Sequence, residues 1–172
     1  MTLTDILPTL RLSMPDPLQP HLWPALTTAV GDDVVIAGVS LLRLVDWCGT
    51  PCVHTAPAPI RGSQGRPSPD DLFSVVVCRV LEVDRRDDGT TDVWVDAELH
   101  ACRPIPGEAR LIGRTSVTHT MAARLRPSGE VLAEVQLPRD VRAGDLIAVP
   151  CAGPTALHDV RRHALDPERL AN

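Results

Sequence analysis

Two runs in the middle of the chain, LFSVVVCRVLEVDRR (72–86) and TTDVWVDAELHA (90–101), are apolar and rich in β-branched residues, and they are joined through Asp87-Asp88-Gly89. In the second run Val93, Val95, Ala97 and Leu99 alternate with Trp94, Asp96, Glu98 and His100. That period of two is the strand repeat, and Asp-Gly between two such runs signals a hairpin. Further short apolar segments follow: EARLIG (108–113), TSVTHTMAARLR (115–126), GEVLAEVQL (129–137) and DLIAVPC (145–151), each bounded by Gly or Pro. No long helical period intervenes. Many short strands punctuated in this way predict an all-β chain, a single closed or nearly closed β-barrel with short helical segments.

Upstream, VVIA (34–37) and CVHT (52–55) read as strands, and SLLRLVDWCGT (40–50) between them has the spacing of one or two helical turns. Residues 56–71 are rich in Pro, Gly and Ser, the composition of an exposed linker. The expected organisation is an N-terminal extension (1–20) and one barrel domain (21–172). Within that domain, strands at 21–55 and a main sheet at 72–172 flank the linker, and residues 34–55 are expected to pair into the sheet formed by 72–151. The segment ALHDVRRHALDPERL (156–170) is compatible with a short helix or with a strand and turn.

Composition narrows the function classes. With 172 residues, 44% of them apolar, the chain can bury one domain-sized core. A net charge of −5 and only three Trp, one Phe and no Tyr disfavour a nucleic-acid surface, which needs clustered cations and stacking rings. No run is long enough to span a bilayer as a helix, and the first residues lack a secretory pattern, so a soluble cytoplasmic protein without membrane contacts is expected. Five cysteines without paired CxxC units suggest free thiols and no metal; Cys48, Cys52 and His54 make at most half a metal site. The sharpest feature is that all 17 basic residues are arginine. Without a lysine, no side chain can form an internal aldimine with pyridoxal phosphate.

Three stretches carry a family likeness. GEVLAEVQLPRDVRAGDLIAVPCAGPTA (129–156), RVLEVDRRDDGTTDVWVDAELHACRP (79–104) and IAGVSLLRLVDWCGTPCVHT (36–55) resemble, in the correct order, the closing and opening pieces of the fold-type III pyridoxal-phosphate decarboxylases. The diaminopimelate and ornithine decarboxylases, also grouped as group IV decarboxylases, are the nearest in pattern. Their C-terminal β-domain is of the alanine-racemase type. The resemblance implies a β-barrel from which the family's (β/α)8 barrel, a unit of about 250 residues, is missing at the linker. With that barrel go the Schiff-base lysine and the phosphate loops, so no cofactor is expected.

Carried over by position, Arg103 falls on the family's substrate-carboxylate arginine. The family's Cys-Glu-Ser-Gly-Asp phrase falls on Arg126 to Glu130, so Arg126 replaces the cysteine and Glu130 the aspartate. The tyrosine of its Ala-Gly-Ala-Tyr phrase falls on Thr155. The resemblance thus excludes decarboxylation through this cofactor and leaves Arg103 as the one matching site residue.

The residues themselves offer further candidates. Asp96, Glu98 and His100 share one strand face, which suits general acid–base work if it lines a pocket and a solvated outer face if it does not. His119 in SVTHTMAA lies on the side of Val117 and Met121, as a catalytic group or as a core histidine. Cys151 is a nucleophile candidate or an inert buried thiol. Arg103 is a ligand fork or one half of a salt bridge. The catalytic set is therefore Arg103, Glu130, Cys151 and His119, and the binding set is Arg126, Asp96, Glu98, His100 and Thr155. Two functions fit: a cofactor-free small-molecule tailoring enzyme of specialised metabolism (cyclisation, isomerisation or hydration), or a binding and assembly module for a biosynthetic partner. A homodimer is expected in either case.

Overall fold

The computed structural model describes residues 17–127 and 129–161. Its spine is a strand of 19 residues, β5 (Pro67–Arg85). One edge of β5 carries β10 (Leu146–Cys151), paired antiparallel from Leu146 opposite Arg79 to Cys151 opposite Ser74. The other edge is shared end to end by β4 (Cys52–Pro59) and β6 (Thr91–Val95). The change of partner coincides with a bulge between Val80 and Glu82, where Leu81 is left exposed. A bulge bends its strand and increases its twist. This one lets β5 run from one side of the barrel to the other.

The remaining strands close the sheet. β6 lies parallel to β8 (Thr120–Arg126), which pairs antiparallel with β9 (Ala133–Pro138). A parallel neighbour requires a crossover. Residues 96–119 supply it, carrying a 3-10 turn (Pro106–Glu108) and β7 (Arg110–Ile112), which pairs with β10. The strand order is β7-β10-β5-β6-β8-β9 with β4 beside β5, and β9 returns against the 3-10 turn and β7, so the seven strands form a nearly closed, barrel-like sheet. The predicted hairpin is present: Gly89 has φ +83, Gly89 N–H donates to Arg86 O (3.0 Å) and Arg86 N–H to Thr90 O (2.9 Å).

Residues 23–48 form a separate cover. β1 (Thr27–Val30), β2 (Asp33–Ile36) and β3 (Val39–Ser40) make a small antiparallel sheet, followed by α1 (Leu41–Cys48). Ser40 caps the helix by accepting from Arg43 N–H, and Gly49, at φ +71, ends it with its N–H on Val45 O. The cover explains an otherwise odd feature of β5, the continuous burial of Ser74 to Cys78. Val76, Cys78 and Val80 face the barrel interior with Leu125, Leu137 and Ile147. Val75 and Val77 face outward and pack under Trp23, Ile36, Leu41 and Val45. A strand covered on both faces loses its alternation.

Two expectations are corrected. Of residues 34–55, only β4 joins the main sheet; β2 pairs with β1 and β3 instead. Residues 56–71 are not a linker. β4 continues to Pro59, β5 begins at Pro67, and a turn closed by Ile60 N–H to Arg66 O (2.8 Å) joins them. The small residues Ala56 and Ala58 are buried there, and the prolines lie toward the end of the hairpin, where ladder N–H groups are dispensable. Residues 1–16 of the expected extension, and most of 156–170, lie outside the described residues; a short helix, α2 (Leu157–Val160), is present. Among the described residues no helix is long and apolar enough to cross a membrane.

Candidate functional site

Two recesses are lined by charged groups, and they differ in how those groups are partnered. The smaller, of about 190 Å³, lies between the N-terminal cover and the barrel and includes Asp32, Arg114, Ser116, Thr118 and Gln136. One of its two arginines, Arg114, is held by four hydrogen bonds. Arg114 Nε and Nη2 donate to the two carboxylate oxygens of Asp145 (2.8 and 2.7 Å), and Nη1 donates to Asp140 Oδ2 (2.9 Å). Asp140 Oδ1 accepts from Ser116 (2.7 Å) and Thr118 (3.1 Å). Such a closed network fastens the 113–118 loop to the β9–β10 connection and leaves little capacity for a ligand.

The larger recess is an open groove of about 960 Å³ between the β4–β5 hairpin and the segments 103–105 and 152–154. Ile60, Leu72, Phe73 and Ile105 give it apolar walls, and Arg103, Arg61, Asp70 and Asp71 give it charge. Arg103 is held by the backbone on either side of it. Ala152 N–H donates to Arg103 O and Ile105 N–H to Pro150 O, both at 2.8 Å, with Pro104 bridged to Cys151 between them. In this non-hydrogen-bonded kind of pair the central residue donates nothing to its partner, so proline fits.

The guanidinium lies over the backbone of Gly153, where φ is +114. A Cβ at Gly153 would collide with Arg103 Nη2 and come within 3.2 Å of Cζ. Glycine therefore serves both the positive φ and the close approach. Among the described residues no carboxylate is within ion-pair distance of Arg103, whereas Arg114, Arg124 and Arg126 each have one.

Next to Arg103 in the chain, Cys102 packs against the core cluster that contains Cys151, and the two thiols interact. The hydrogen bond from Cys151 and a further one from Thr155 lower the half-buried Cys102 thiol to about 7, against burial and the Asp159 charge. Cys151 is wholly buried, and its thiol is pushed up by its bond to Cys102 and by burial. Of this pair Cys102 is the thiol that reaches solvent and Cys151 the one sealed in the core.

The other sequence candidates scatter. Asp96 accepts from Thr50 Oγ1 (2.6 Å) and from Arg79 N–H (2.7 Å), fastening the helix end to β5. Glu98 and His100 face each other at 3.6 Å near the barrel end. His119 is exposed just ahead of β8, not in the core, because β8 begins only at Thr120. Arg126 stacks on Trp94 at 5.3 Å and pairs with the buried Asp92 at 3.0 Å. Glu130 is exposed in the β8–β9 connection. Neither Arg126 nor Glu130 lines the groove of Arg103, so the polar cluster expected around these three does not form; β8 holds Arg126 on the Asp92 face. Thr155 does lie close by, its N–H donating to Ser74 Oγ (2.9 Å) and its side chain helping to lower the Cys102 thiol.

The sequence reading passed over Cys102 and Gly153. The Cys-Arg-Pro and Ala-Gly-Pro runs were the available signals, and only their cross-strand pairing gives them meaning. No protein-family model, curated protein or solved structure matches the chain, and the reading of the groove stands on its own residues.

Proposed function

We propose that the protein is a cofactor-free, small-molecule enzyme whose groove anchors an anionic or enolisable substrate on Arg103. The observation that carries this reading is a guanidinium laid over Gly153 in the groove with no carboxylate partner among the described residues. An arginine fork binds a carboxylate or stabilises an enolate oxygen without any tuning of its own charge. Asp70 and Asp71 in the same groove supply proton acceptors. An oxyanion anchor together with a carboxylate base is the minimal equipment for isomerisation or cyclisation without a prosthetic group, and the absence of lysine rules out an internal aldimine.

The likeness to the fold-type III decarboxylase β-domain belongs to the same proposal. It is supported by the order of the three quoted stretches and by the β4–β5 turn at the position where the family carries its catalytic barrel. The test is thermal shift and calorimetry with a panel of small carboxylates, β-keto acids and enol-forming lactones. Binding in the wild type, lost in Arg103→Ala and poorly restored in Arg103→Lys, is the expected result. Equal binding by wild type and Arg103→Ala overturns the assignment.

A second reading, an assembly module or homodimer, is favoured by a different observation. Trp47 (74% exposed), Leu26 (63%) and Val30 (58%) leave apolar surface on the N-terminal cover. Light scattering at micromolar concentration tests it. A dimer disrupted by Trp47→Ser supports this reading, and a monomer counts against it.

A further inference from the structure

We infer that Cys102 and Cys151 form a redox couple that closes to a disulfide at the expense of a peroxide, with Cys102 as the attacking thiolate and Cys151 as the resolving thiol. The inference is independent of what Arg103 binds.

Three features carry it. First, the fold brings the two thiols together: Pro104 is bridged to Cys151, and Cys102, two residues before Pro104, packs against the core cluster that contains Cys151. The two thiols are near enough for each to shift the acidity of the other. Second, accessibility is divided as the chemistry requires. Cys102 is partly exposed, so an oxidant can reach it, whereas Cys151 is fully buried in the barrel core. Third, only one partner must move. Cys151 is fixed at the end of β10, while Cys102 follows the turn at 100–101 and belongs to no strand. Disulfides need a Cα separation of ~4.4–6.8 Å, so closure is an adjustment of the loop that carries Cys102 and leaves β10 in place.

The lowered acidity range of Cys102, near 7, supports the assignment of roles, because the thiolate is the nucleophile. In the first step the Cys102 thiolate attacks one peroxide oxygen. An S–O bond forms, the O–O bond breaks, and hydroxide leaves, so that sulfur is oxidised to the sulfenic acid and the peroxide oxygen is reduced. In the second step Cys151 attacks that sulfur, the S–S bond forms, and the sulfenic oxygen leaves as water with the Cys151 proton. The net change is two thiols and one hydrogen peroxide to one disulfide and two waters.

Closure also displaces Arg103, the next residue along the chain, and that consequence alone rests on the function proposed above.

The experiment uses the full chain treated with hydrogen peroxide, followed by intact mass and non-reducing peptide mapping. Arg43 and Arg61 bracket Cys48 and Cys52, so a tryptic link between those two stays within one peptide, whereas a Cys102–Cys151 link joins two. The expected result is loss of two hydrogens in mass, a cross-linked Cys102–Cys151 peptide, and reversal by dithiothreitol. Cys151→Ser should instead stop at a Cys102 sulfenic acid that dimedone labels, because serine cannot resolve it. Cys102→Ser should give neither product. A link at Cys48–Cys52 alone, or peroxide-treated wild type with Cys102 and Cys151 still reduced, overturns the inference. Because the wild-type map needs no variant and no ligand, it decides the question even if the variants fold poorly or the groove proves to bind nothing.

Discussion

Arg114 and Arg103 sit on the same barrel and have opposite surroundings. Arg114 is gripped by two aspartates through four hydrogen bonds, one of them to a backbone carbonyl, and one of those aspartates, Asp145, is buried. Arg103 is exposed, held only through its backbone, and laid on a glycine. The difference separates two uses of one residue type. An arginine bound by carboxylates and a carbonyl from elements distant in the chain is a fastening, and removing it weakens the neutralisation of a buried charge. An arginine with unmatched donors in a groove contributes little to folding and has its binding capacity free.

The largest effect that would sharpen this contrast is expected from Arg114→Ala. Losing the bidentate partner of the buried Asp145 leaves it only the backbone N–H of Arg142 (3.0 Å) and that residue's exposed guanidinium at 3.9 Å, at a cost of up to roughly 3–5 kcal/mol, measured by urea denaturation. A cost below about 1 kcal/mol would remove the distinction between the two arginines.

Gly153→Ala comes next. It puts a Cβ into the space of the Arg103 guanidinium and forces a non-glycine residue to φ +114, a strain of about 1–3 kcal/mol. If Arg103 is displaced as expected, carboxylate binding in the groove falls with it. Gly153→Ala combined with Arg103→Ala should then lose no further affinity, as a double-mutant cycle would show.

A smaller effect separates the sites by pH. Burial raises the Asp140 carboxyl, but hydrogen bonds from Arg114, Ser116 and Thr118 outweigh it and hold the group down at about 2, below its ordinary 3.8. A depressed carboxyl stabilises the fold above its unfolded value, and that contribution is lost as pH falls from about 4 toward 2. Asp140→Asn should flatten that part of the acid-denaturation curve, whereas Arg103→Ala should leave it unchanged.

The smallest effect is expected from Arg103→Ala in the absence of ligand: a stability change within about 0.5 kcal/mol. A loss as large as that of Arg114→Ala would make Arg103 a structural residue and move the weight to the assembly reading.

A second contrast, between strands, bears on how much was legible in the sequence. β8 and β9 alternate buried and exposed residues, as a one-sided sheet must, and their positions follow from pattern alone. β5 and β10 are buried almost continuously over 74–78 and 147–151. Their runs of valine and alanine say that both faces are covered but not by what. The cover turned out to be β1–β3 and α1, which sequence reading had placed partly in the main sheet.

The sequence by itself determined the strand-rich class, the hairpin at Asp87–Gly89, the helical turns at 41–48 and the exclusion of a lysine aldimine, because each depends on local period, turn chemistry or composition. It also singled out Arg103. Only the tertiary structure decided that Arg103 lies over Gly153, that Asp140 and Asp145 close around Arg114, that Arg126 is tied to Asp92, and that Cys102 meets Cys151. Those contacts join residues 26 to 50 positions apart, and nothing in a local pattern specifies which polar side chains will face one another once β5 bends and the sheet curls. Pairing register does, and register is a property of the folded sheet.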